Sequence, residues 1–138
     1  MDSISHKVNL TSVAATDAIS TLRKWFSKEQ FTEVAFEKDS VTISTFSMAH
    51  LITFKLKRRE HYQTFYKETG TGALLVFEVK VAGQQLQYDA YCPLLVFGFW
   101  KVKLAFKEKS SWFTSWRKEG FKVHERFQKF IAPMKAML

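Results

Sequence analysis

The chain has 138 residues, 46% of them hydrophobic and 16% aromatic, with a formal net charge of +8. That length fits a single domain over residues 1–138 that buries roughly two-thirds of its unfolded surface, and the composition excludes a disordered chain. One cysteine excludes an intrachain disulfide framework, and the positive charge favours anionic partners: nucleic acid, lipid headgroups or an acidic protein.

In chain order, Ser3–Val13 alternates with Ile4, Val8 and Leu10 on one parity, the pattern of a short first strand. ATDAISTLRKWFSKEQ follows. Its residues Ala15, Ala18, Ile19, Leu22, Trp25 and Phe26 share one helical side, while Arg23, Lys24, Ser27 and Lys28 take the other. With Thr16 as N-cap and Asp17 at the positive end, this predicts a helix over 16–30. From Phe31 the period becomes two: Val34 and Phe36 lead to a turn at Lys38-Asp39, and Val41 and Ile43 return, which predicts a hairpin.

Ile52, Phe54 and Leu56 share one face of the next strand, with Lys55 and Lys57 opposite, and a weaker strand covers Tyr62–Lys67. After a turn at 70–72, Leu75, Phe77, Val79 and Val81 alternate with Glu78 and Lys80. Gly83-Gln84 makes a tight turn into Leu86, Tyr88 and Ala90, which alternate with Gln85, Gln87 and Asp89. Pro93 predicts an edge or a bend. In the stretch beyond it, Leu94, Val96, Trp100, Val102, Leu104 and Phe106 share one parity. Last, Trp116, Gly120, Val123, Phe127, Phe130 and Met134 recur at intervals of four and three, one face of a helix that Pro133 ends near Ile131. Gly120 either allows close approach on that face or ends a shorter first helix.

Runs of strands flanked by helices define an α+β domain. The expectation is a single antiparallel sheet of five to seven strands, with an N-terminal helix and a long C-terminal helix packed on it. This order is similar to the helix-grip arrangement of the START and polyketide-cyclase-like proteins. The resemblance lies in element order and implies a curved sheet wrapped around a C-terminal helix and a cavity.

The stretch PLLVFGFWKVKLAF over 93–106 carries the main candidate site. Leu95, Phe97 and Phe99 oppose the core parity before Lys101 and Lys103 turn that side polar, unless a bulge at Gly98 shifts the count. Fully covering three such side chains is worth on the order of 5–8 kcal/mol, so something should cover them. Three covers compete: another part of the same chain, an apolar or lipid-like ligand, or a partner protein. Lys101, Lys103, Lys107 and Lys109 beside Trp112, Phe113 and Trp116 have the composition of a membrane-interface rim or of a lysine-protected edge strand. The candidate ligand or partner site is therefore Leu95, Phe97, Phe99, Trp100, Lys101, Lys103 and Trp112.

A second candidate surface would bind single-stranded nucleic acid through Lys55, Lys57, Arg58, Arg59 and Lys80, with Tyr62 and Tyr66 stacking bases. No RNP-like pattern, GXXG loop or recognition-helix signature accompanies it. His6, His50, His61 and His124 are scattered, with none at metal-ligand spacing from another ligand type, and His124 reads as a surface or boundary position. Glu33, Glu37, Glu78 and Asp89 read as solvent-facing strand positions. No nucleophile elbow, phosphate loop or H-E-x-x-H occurs. Cys92 reads as a small buried hydrophobe.

The opening MDSISHKVNL has no apolar signal core, and the longest stretch without polar side chains, 93–100, is far short of the ~20 residues a spanning helix needs. The expectation is a soluble, cytoplasmic, non-enzymatic binding protein without metal or cofactor. Its partner would be an apolar or anionic-headed ligand, a peripheral membrane surface or a protein. The alternatives are a nucleic-acid binder and a structural subunit of an assembly or oligomer.

Overall fold

In a computed structural model, residues 4–34, 40–47, 50–69, 74–96, 100–108 and 115–137 are described. The elements in order are β1 (Ser5–Asn9), α1 (Ser12–Thr16), α2 (Ala18–Lys28), β2 (Thr32–Glu33), β3 (Ser40–Ser47), β4 (His50–Lys57), β5 (Gln63–Glu68), β6 (Leu74–Ala82), β7 (Gln85–Val96), β8 (Trp100–Leu104) and α3 (Ser115–Ile131). Six strands form one antiparallel sheet in the order β1-β7-β6-β5-β2, with β8 also paired to β7; β3 and β4 form a two-stranded hairpin. The expected α+β class, antiparallel sheet and long C-terminal helix are all present.

The N-terminal helix differs from expectation in its start. Thr11, not Thr16, is the cap: its hydroxyl accepts from the Ala14 amide at 3.1 Å. Asp17 then separates a first short helix from α2. Thr16 instead donates its hydroxyl to the Ser12 carbonyl, a back-bond that leaves it no capping role. The buried line of α2 is Ala18, Leu22 and Phe26, as the spacing requires.

The hairpin expected across Lys38-Asp39 falls on residues 35–39, outside the described residues. Among the described residues, Thr32 and Glu33 pair with Tyr66 and Phe65 on β5, and β3 pairs with β4 from Ser40↔Lys57 to Ser47↔His50. Alternation shows that two segments are strands; it carries no information on which strand each one pairs with. The turn expected at 70–72 likewise lies outside the described residues. At Gly83 the β6–β7 turn takes φ +60°, a left-handed conformation that suits glycine.

Pro93 does not break its strand. β7 runs through it from Gln85 to Val96, and Pro93 stands opposite Lys103 of β8. The pairing with β6 ends at Tyr91 and the pairing with β1 at Asp89, so the proline sits where β8 is the described neighbour. That is an edge-like position in which a missing N–H is tolerated.

The main core lies between the sheet and the helices. Phe26 stacks on Phe65 at 4.2 Å, Phe127 meets Phe77 at 5.3 Å and Tyr88 at 4.9 Å, and Phe106 reaches Phe77 at 5.8 Å. Gly120 is part of the same packing: a Cβ there would fall 2.3 Å from the Phe106 ring. α3 continues through it unbroken, so Gly120 is a close-approach glycine and not a helix end. A second, smaller core forms on the opposite sheet face from Val34, Leu56, Leu74, Val76 and Tyr91. Every residue of β6 from Leu74 to Val79 is therefore buried, and two-sided burial is found on this strand.

Candidate functional site

Beside the small core, the sheet face away from the helices is polar. β6 sets Glu78 opposite Asp89 of β7, and the next pair on that face is Lys80 with Gln87. Glu78 is not a solvent-facing strand residue; it is 5% exposed. The same parity that turns Phe77 and Val79 to the helices turns Glu78 toward the small core, where Tyr91 and Val76 flank it.

Two cations from distant parts of the chain converge on this carboxylate. Arg59, from the β4–β5 connection, brings Nη1 to 3.6 Å from Glu78 Oε1 and 3.0 Å from Asp89 Oδ2. Lys103 of β8 brings Nζ to 3.6 Å from the same Glu78 oxygen. At that distance neither contact is a hydrogen bond, and Oε1, although buried, accepts none among the described residues. Asp89 is only partly exposed as well, since it is half of the Arg59 pair.

Aromatic rings back both cations. The Arg59 guanidinium lies 4.0 Å over Tyr62, with Lys80 5.8 Å from the same ring, and Lys103 lies 4.7 Å over Tyr91. Burial pulls Arg59 toward deprotonation, but Tyr62, Glu78 and Asp89 outweigh it and hold the guanidinium above its ordinary value. Tyr91 is driven far above the ordinary phenol range, first by burial and then by the Glu78 and Asp89 charges. It therefore stays a neutral donor at any physiological pH.

Of the apolar candidate site, Phe97, Phe99 and Trp112 lie outside the described residues. Leu95 pairs with Lys101 and Val96 with Trp100 along the β7–β8 ladder, next to the Pro93–Lys103 pair. In the basic candidate surface, Lys57 and Lys55 stand opposite Ser40 and Thr42 of β3. Arg58 donates its Nε–H to the Tyr62 carbonyl at 2.9 Å, and Tyr66 packs against the small core. Arg59, Tyr62 and Lys80 from this surface thus meet Lys103 from the other around Glu78.

A third cluster had no signal in the spacing. His124 of α3 is 9% exposed, not a surface position. Its Nε2 and the Tyr88 hydroxyl are 2.9 Å apart, and His6 of β1 stacks on Tyr88 at 4.8 Å and lies 4.8 Å from the His124 ring. Burial, aided by His6, lowers His124 to about 4, and burial raises Tyr88 to about 12. These residues are 118 positions apart in sequence at the extremes, His6 and His124, so only the packing of α3 over β1 and β7 brings them together. Among the described residues, no group of three or more His, Cys, Asp or Glu is placed to hold a metal ion. Cys92 is buried in the main core, which pushes its thiol well above the ordinary range. Among the described residues, no helix is long and apolar enough to cross a membrane.

No protein-family model, no curated protein and no solved structure matches this chain.

Proposed function

We propose that this protein is a non-catalytic binding module that holds an apolar or anionic-headed partner on the outer face of its sheet. The binding residues on this reading are Leu95, Phe97, Phe99, Trp100, Lys101, Lys103 and Trp112. One observation supports it above others: Lys103 and Arg59 sit at a common distance of 3.6 Å from Glu78 Oε1, each backed by a tyrosine ring. Half-exposed cations on aromatic ground, beside a strand end rich in aliphatic residues, suit a partner with a charged head and an apolar body. A cytoplasmic setting agrees with a lone buried thiol.

Native mass spectrometry of the purified protein tests this reading. The expected result is a co-purifying apolar ligand or a stable partner, lost in Leu95→Asp. An unliganded monomer in both proteins overturns it.

A second reading, single-stranded nucleic-acid binding, is favoured by Arg59 stacked over Tyr62 with Lys80 nearby. It requires oligonucleotide affinity that falls steeply with salt, and a large loss in Lys55→Glu with Lys57→Glu. Salt-independent or absent binding removes it.

A further inference from the structure

The outer sheet face carries a compact charge arrangement that the apolar stripe does not require. Arg59 and Lys103 share one carboxylate oxygen at 3.6 Å, so their nitrogen atoms lie within about 7 Å of each other. Both side chains are nearly half exposed, whereas Glu78 between them is buried. Glu78 therefore holds the two cations at one spot without taking a donor from either, because neither contact is short enough to be a hydrogen bond, while one Nη1 hydrogen of Arg59 goes to Asp89 at 3.0 Å. A phosphate that accepts at about 2.8 Å from each nitrogen spans this separation.

We propose that Arg59 and Lys103 form a clamp for the phosphate head of an anionic phospholipid, with Glu78 as the residue that positions both. This rests on the binding-module reading above and names the head that such a partner carries. Charge complementarity selects the class: Arg59, Lys80 and Lys103 outnumber Glu78 and Asp89 around this centre, on a chain of net charge +8. The distribution then selects a lipid over a polynucleotide. A nucleic-acid backbone needs a continuous basic track. Here Asp89 and Glu78 interrupt the track, which leaves one localised cation pair suited to a single phosphate. The Tyr91 ring under Lys103 is 4% exposed and offers no free face for a base to stack on. Leu95 follows two pairs along the same ladder from the Pro93–Lys103 pair.

The test is co-sedimentation with phosphatidylcholine vesicles, with and without phosphatidic acid. Wild-type protein should bind only the phosphatidic-acid vesicles. Arg59→Gln and Lys103→Gln should each weaken that binding about fivefold, since a basic residue near an anionic surface is worth about 1 kcal/mol. Lys118→Gln, which removes the same charge from an exposed site on α3, should leave it nearly unchanged. Glu78→Gln should weaken it, because Arg59 and Lys103 lose the charge that gathers them. Competition by glycerol 3-phosphate would mark recognition of the phosphate itself; no competition would mark recognition that needs the membrane surface, and the clamp stands in either case. Equal losses in Lys118→Gln and Lys103→Gln overturn the clamp, as does binding to oligonucleotides but not to vesicles. If Leu95→Asp abolishes ligand retention while both clamp variants bind normally, the clamp fails and the module reading survives. If only the clamp variants fail, the clamp stands and the apolar stripe does not. Circular-dichroism melting of each variant separates lost binding from lost folding.

Discussion

The two faces of the sheet are built from the same strands on opposite principles. Toward the helices, β6 and β7 present Phe77, Val79, Tyr88 and Ala90, and Phe26 and Phe127 close over them with ring distances near those of aromatic crystals. On the other side the same strands present Glu78, Asp89 and Lys80, whose partners are charges and half-exposed rings. Stability is concentrated on the first face, because burial of apolar area scales with contact and needs no matching of charges. The second face instead keeps long cationic side chains, Arg59 and Lys103, nearly half exposed to solvent. Among the described residues, a small core intrudes at one end of the outer face, around Val76 and Tyr91.

Substitutions sharpen that contrast, beginning where the effect is largest. Phe127→Ala removes a fully buried ring that contacts Phe26, Phe77 and Tyr88, and should cost about 3–5 kcal/mol in urea unfolding. A loss below about 1 kcal/mol would show that the helix-side packing is loose and would erase the distinction.

Next comes pH. His124 titrates near 4 in the folded protein against 6.5 in the unfolded chain, so the unfolded chain takes up the proton first. The stability that this neutral imidazole protects is complete above about pH 6.5 and is lost as pH falls toward 4, by up to about 3 kcal/mol. The check is the drop in unfolding free energy between pH 7 and pH 4.5 in wild type and in His124→Gln. Carboxylates contribute equally to both proteins, so the variant should show a drop smaller by about 2 kcal/mol. Equal drops would mean that the Tyr88–His124–His6 cluster is open to water.

Gly120→Ala sets two effects against each other. Alanine improves helix propensity by about 1 kcal/mol, yet its Cβ would sit 2.3 Å from the Phe106 ring. Overpacking should win, with a net loss of about 1 kcal/mol or more, and the double variant Gly120→Ala with Phe106→Leu should show non-additive recovery. Smallest of all should be Lys103→Gln and Arg59→Gln on the outer face. Each removes a nearly half-exposed cation from buried Glu78, which keeps the other one, and should move stability by no more than about 1 kcal/mol. A larger loss would turn the outer face into a second structural core and weaken its case as a binding surface.

Much of this architecture was legible one residue at a time. The alternation of Leu75, Phe77 and Val79 against Lys80 located β6, and the four-and-three spacing from Gly120 to Met134 located α3. Both signals arise from chain-local geometry. Glu78 was misread for the same reason: polar alternation is the signal of a solvated face, and nothing local shows that Leu56 and Tyr91 close over its neighbourhood. His124 was misread because its tyrosine and histidine partners come from β7 and β1. Of the apolar candidate site, Lys103 acquired a described environment, while Phe97, Phe99 and Trp112 lie outside the described residues.

By itself, then, the order of residues determined where strands and helices run, which parity of each strand is apolar, and that the class is α+β. Side-chain period and backbone propensity act over a few neighbours, so they can be read without knowing the fold. The tertiary structure alone decided that β2 pairs with β5, that β3 pairs with β4, and that Arg59 and Lys103 meet at Glu78. Those outcomes depend on contacts between segments far apart along the chain, where the gain from burial and pairing appears only once the loops between them have closed.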